Sequence, residues 1–103
     1  MSNKVEKFTQ CEGDAEETLL WFLCPGCGSE HAVRIEGRQQ PIWGWNGSLE
    51  APTLTPSLLA RGADRKGNEY VCHSFVTNGQ IQFLGDCTHD KAGQTVPLLD
   101  VKD

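Results

Sequence analysis

The chain has no long apolar run: near its start the longest is LLWFL, Leu19 to Leu23, far short of the ~18 residues that a membrane span needs. The opening MSNKVEKFTQ has neither the charged n-region nor the apolar h-region of a secretory leader, so we expect a cytoplasmic protein without a membrane anchor. Basic residues are few. Lys and Arg number 9 against 14 Asp and Glu, for a formal charge of -5, and affinity for phosphate backbones comes from counterions that Lys and Arg release. No nucleic-acid partner is expected. The nearest basic cluster, Arg61, Arg65 and Lys66, lies among glycines and reads as a solvated loop. A sustained 3.6-residue period is also missing, which excludes a helical bundle. HExxH, G-x-S-x-G and phosphate-loop motifs are absent, and the H-x-E of zinc deaminases does not precede the thiol pair.

What the chain does have is turns and thiols. Its 103 residues include 11 Gly, 5 Pro and 5 Cys, and a single domain of this size buries only roughly 60 to 65% of its unfolded surface. An odd thiol count in a reducing compartment favours metal or redox chemistry over a disulfide framework. FLCPGCGSEH, Phe22 to His31, places thiols at C-x2-C spacing around Pro-Gly. Thr18 to Leu23 and Ala32 to Glu36 read as strands that this turn joins. A redox dithiol wants a helix behind its first thiolate, and GSEHAVRIE begins none. A zinc knuckle wants a tight turn with freed amides, which Gly26 and Gly28 suit.

Glu69 to Gly85, EYVCHSFVTNGQIQFLG, shows a second hairpin around Asn78-Gly79, the favoured pair for a type I′ turn. That turn sets Val76 against Ile81 and Ser74 against Phe83. Continued outward, the register sets Cys72 against Gly85 and Tyr70 against Cys87, so both thiols share one face. Cys24, Cys27, Cys72 and Cys87 are the first candidate set for a zinc ion, with His89 as a replacement for Cys87. His73 falls on the face opposite Cys72 and is the weaker ligand. Beside an open metal, Asp86, His73 or His89 could act as a general base. Cys11 reads as an ordinary free thiol, and His31 as a surface residue or a hydrogen-bond partner of the knuckle.

Pro41 to Pro56, PIWGWNGSLEAPTLTP, predicts ordered but irregular chain. Trp43 and Trp45 read as core laid over the zinc hairpin or, with Asn46, as a platform for a partner. Asn46, Thr53, Thr55 and Ser57 read as turn and backbone hydrogen-bonding groups. The expected architecture is mainly β, with a small α+β variant allowed by one helical turn at His89 to Gly93. It is zinc-ribbon-like: two β-hairpins joined by one metal site, with residues 1–17 a loose N-terminal arm that allows a short strand over Val5 to Thr9, and 18–103 the zinc-stabilised domain.

In their order, CPGCGSEH, WGWNG, PTLTPSL, VCHSFVTNGQIQFL and DCTHDKAGQTVPL resemble a family of short phage and prophage proteins of unknown function, often labelled "ammonia monooxygenase". The chain is far too small for a membrane copper oxygenase, and that label is set aside. Relatives stand beside bacterial ubiquitin-like conjugation genes. The resemblance covers Leu23 to Leu99 and implies a phage-encoded protein in the bacterial host cytoplasm, with chemistry at Cys24, Cys27, Cys72, His73, Cys87 and His89. Some relatives carry Ser at the position of Cys87, which favours His89 as ligand. The leading expectation is a small zinc-binding interaction protein that engages a host protein, with an anti-defence role. The alternatives are a zinc-dependent hydrolase or transferase acting on a ubiquitin-like conjugate, and a RING-like adaptor.

Overall fold

A computed structural model describes residues 3–63 and 65–101. The architecture is all β, with no helix among the described residues. A three-stranded antiparallel sheet holds β1 (Glu6–Glu12), β2 (Ala15–Leu23) and β3 (Glu30–Glu36). A five-stranded antiparallel sheet follows, in the order β4 (Gly44–Trp45), β5 (Leu54–Ala63), β6 (Glu69–Thr77), β7 (Gln80–Phe83) and β8 (Thr95–Pro97). Residues 6–12, which the sequence suggested lie in a loose arm, pair with β2 along their whole length. Just before them Val5 is fully buried, and the amides of Lys4 and Val5 reach the Leu49 carbonyl. His89 to Gly93 forms turns rather than a helical turn.

Strand alternation decides which side chains enter the core. On β2, Leu20 and Phe22 point inward and Cys24 continues that row just past the strand; on β6 the inward row is Cys72, Ser74 and Val76. Leu54, Leu58, Ile81, Phe83 and Leu98 complete a core that both sheets share. Each sheet therefore brings a buried thiol to the common interior.

The hairpin of β6 and β7 has the expected register, Val76 against Ile81 and Ser74 against Phe83. Asn78 and Gly79 have φ of 50° and 78°, the left-handed pair that a type I′ turn demands. Beyond Phe83 the regular ladder ends. Leu84 still donates its amide to the His73 carbonyl at 2.9 Å, after which residues 85–86 turn and the Thr88 amide returns to the Val71 carbonyl at 2.9 Å. Cys72 does not pair with Gly85: across β6 it meets Ala60 of β5.

One buried charge stabilises the smaller sheet. Glu17 is 5% exposed, and its carboxylate accepts from Gln10 Nε2 at 2.6 Å and Arg34 Nε at 2.5 Å. Those bonds, Gln10 first and then Arg34, hold its pKa below the ordinary 4.5.

Candidate active site and metal centre

Consecutive residues of β6 serve opposite faces. Cys72 points into the core and His73 points out. On the outer face His73 stands opposite Leu59 of β5, and its Nε2 lies 3.2 Å from Ser57 Oγ. Its Nδ1 lies 3.1 Å from Asp86 Oδ2. A carboxylate only accepts hydrogen bonds, so Nδ1 carries the proton and Nε2 is left to accept from the Ser57 hydroxyl. Nucleophile, base and orienting carboxylate are thus in hydrogen-bond reach in series, the geometry of a Ser-His-Asp triad.

The strands explain how these three meet. The pairing of β5 with β6 shifts between Leu54 and Leu58, and Ser57 lies in that irregularity. Trp43 Nε1 donates to the Pro56 carbonyl at 3.2 Å, fixing the residue directly before the serine. Asp86 comes from the turn after β7, where Cys87 holds the chain against β6. Cys87 Sγ lies 3.2 Å from both the amide nitrogen and the carbonyl oxygen of His73. The base is therefore gripped through its own backbone. The sequence places His73 outward and offers Asp86, His73 and His89 as general bases only beside an open metal, and it gives Ser57 only a backbone-bonding role.

Behind this face lies the thiol cluster. Ligand atoms of Cys24, Cys27, His31 and Cys72 all lie within 4.8 Å of one another, and so do those of Cys72, Cys87 and His89. A tetrahedral zinc site with ~2.3 Å thiolate bonds has sulfur-sulfur edges of about 3.8 Å and sulfur-nitrogen edges of about 3.6 Å. The Cys24 and Cys72 sulfurs are 3.7 Å apart, and Cys72 Sγ is 3.5 Å from His89 Nε2. Cys27 Sγ is 3.2 Å from His31 Nε2. The donors fit a zinc ion. His89 also lies against the knuckle, because a Cβ built on Gly26 would come within 2.4 Å of its ring.

Electrostatics supports the same conclusion. The hydrogen bond from Cys72 holds the Cys24 thiol down to about 3, while that bond and burial push the Cys72 thiol up. Two thiols this close in the interior are a soft donor pair for a cation. His31, read as a surface residue or a partner to the knuckle, is half-buried among the thiols. Cys11 is exposed and belongs to no cluster.

The tryptophans are half-buried against the core. Trp45 Nε1 donates to the Ser48 carbonyl at 3.0 Å. Asn46 ties its loop by donating to the Ala51 carbonyl at 3.0 Å and accepting from the amides of Ser48 at 3.2 Å and Thr53 at 3.1 Å.

In this all-β domain, Ser57 of β5, His73 of β6 and Asp86 of the turn after β7 stand in series, an arrangement suited to hydrolysis through an activated serine. Residues 2–84 match the family model described as bacterial ubiquitination-like system serine protease (BubE). The match covers most of the chain, and the protein belongs to that family. No curated protein and no solved structure matches it. Among the described residues, no helix is long and apolar enough to cross a membrane.

Proposed function

We propose that this protein is a serine peptidase of a bacterial ubiquitination-like system, cutting a peptide or isopeptide bond at the end of a ubiquitin-like protein, with Ser57 as nucleophile, His73 as general base and acid, and Asp86 as the group that orients His73. The observation that carries the reading is the unbroken chain of contacts from Ser57 Oγ through His73 to Asp86 Oδ2, at 3.2 Å and 3.1 Å.

His73 Nε2 takes the proton of Ser57 as Oγ attacks the scissile carbonyl. The same nitrogen returns the proton to the leaving amine as the carbon-nitrogen bond breaks, leaving an ester on Ser57. Water, giving its proton to His73 Nε2, then attacks the ester; as the carbon-Oγ bond breaks, that proton passes to Ser57 Oγ, which frees the serine, neutral His73 and a carboxylic acid. The Asp86 carboxylate stabilises the imidazolium formed in each half.

A zinc ion held by Cys24, Cys27 and Cys72, with His31 as fourth donor and His89 beside Cys72, would supply a structural cross-link between the two sheets. Cys87, whose sulfur serves the His73 backbone, is a positioning residue in this reading. The thiol cluster lies behind the strand that carries His73, and the reaction needs only side chains on the outer face. In this reading the chain is a hydrolase rather than an interaction module or an adaptor.

The test is cleavage of a ubiquitin-like protein carrying a C-terminal extension. Wild-type protein releases the extension, and Ser57→Ala abolishes release while keeping the same melting temperature. Equal cleavage by the two proteins would overturn the assignment.

A further inference from the structure

The larger sheet has an open edge beside the nucleophile. β4 pairs with β5 only at Leu54 and Thr55, and Trp43 takes up the Pro56 carbonyl. From Leu58 to Ala63 β5 has β6 on one side, and among the described residues no strand pairs with its other side.

The hydrogen-bond phase identifies the groups on that edge. His73 turns its carbonyl to the Leu84 amide and its amide to Cys87 Sγ, while Val71 uses its carbonyl and amide on Thr88. These β6 residues face away from β5. In an antiparallel pair the alternate residues exchange bonds, so Cys72, Ser74 and Tyr70 bond to their β5 partners Ala60, Leu58 and Gly62. Leu59 and Arg61 therefore direct their main-chain N-H and C=O groups toward the open edge. Leu59 is opposite His73 and 52% exposed, on the face where Ser57 meets His73. On the inward side of this edge, a cleft of about 90 Å³ is lined by Leu58 to Ala60, Trp43, His31 to Val33 of β3, and Cys72 and Ser74 of β6.

We propose that the polypeptide substrate binds as an added antiparallel strand on this edge, its main chain exchanging N-H···O bonds with Leu59 and Arg61 and its reactive carbonyl delivered to Ser57. The inference rests on the peptidase reading and adds which part of the substrate is recognised. An antiparallel strand that runs from Arg61 toward Ser57 ends its acyl side at the nucleophile. Past Ser57 the edge is closed by Trp43 and β4, so recognition is confined to the acyl side and the amine side goes unread. That suits an enzyme meeting one modifier joined to different amines. The cleft takes small side chains from the added strand. Main-chain pairing supplies affinity in this mode, and the pockets beside the strand supply specificity.

The probe is acetyl-pentaalanine aminocoumarin amide, compared with the same peptide N-methylated at the residue opposite Leu59 and with a dialanine version. Methylation should lower kcat/KM about 10-fold through loss of one bond, and shortening should lower it further, while labelling of Ser57 by a small fluorophosphonate is unchanged. Equal kcat/KM for all three peptides overturns strand addition and leaves the peptidase reading intact. Binding is read separately on the Ser57→Ala protein, whose Leu59 and Arg61 amides should exchange more slowly with solvent when pentaalanine is added at saturation. Unprotected amides at saturation would also overturn the proposal. Failure of fluorophosphonate labelling with protection still present would instead count against the peptidase reading alone.

Discussion

Stripping the metal should unfold this protein rather than merely loosen it. Cys24 and Cys72 are 0% and 2% exposed, with sulfurs 3.7 Å apart. Without a cation, nothing ties these two buried sulfurs together at the junction of the two sheets. A domain of this size has a net stability of only ~5 to 15 kcal/mol, and structural zinc contributes ~10 to 16 kcal/mol in small zinc modules. The apoprotein is thus near or beyond its unfolding point at room temperature, and a partial loss of about 3 kcal/mol would lower the melting temperature by about 12 °C or more. Metal content by mass spectrometry and thermal melts followed by tryptophan fluorescence, with and without a strong chelator, measure this. Cys72→Ser should lose metal and stability together. Cys11→Ser should change neither, since that thiol is exposed and outside the cluster. His31→Ala and His89→Ala identify the fourth donor by which one lowers metal retention. Material that contains no stoichiometric transition metal, or that melts within a degree or two of its usual temperature in chelator, would refute the reasoning.

Asp86→Asn should keep the fold and lower kcat by a factor on the order of 10² to 10⁴, because the amide holds the wrong imidazole tautomer; the low end is expected, since Asp86 is 57% exposed and water replaces part of its effect. Steady-state kinetics with a melt as control checks this. Gly26→Ala should weaken metal retention, because its Cβ would lie 2.4 Å from the His89 ring, and a competitive chelator titration reads the loss. Glu17 has a folded-state pKa below its ordinary 4.5, so its contribution is fully present above about that pH and disappears as pH falls through the depressed folded value. Glu17→Gln should accordingly show less loss of stability on acidification below about pH 4.5 than wild type, in urea melts at successive pH values.

The parts of the fold legible in sequence were those set by local chemistry. Asn78-Gly79 dictated both its turn and the first pairs beside it, and CPGCG between β-rich runs dictated a hairpin with thiols at its tip. Extending the second register to Cys87 failed physically because the chain leaves the ladder after Leu84, folds through Gly85 and Asp86, and sends the Cys87 sulfur to the His73 backbone. β1 was legible only as a short strand over Val5 to Thr9, because EKFTQCE is polar and its partner face only half-buried. Strand alternation at Cys72-His73 was readable and did separate an inward thiol from an outward imidazole. What no local pattern showed was Ser57. It reaches His73 only through the irregular pairing of β5 with β6, a contact across 16 residues of chain, and G-x-S-x-G does not mark it. A polar residue directly after Pro56 reads as a turn residue until the second strand is in place.

The most direct test is to treat the purified protein with a fluorophosphonate and map the adduct by peptide mass spectrometry. Ser57 should be modified stoichiometrically in wild type, and His73→Ala should suppress that modification. An unmodified protein, or an adduct on any other serine, would contradict the account.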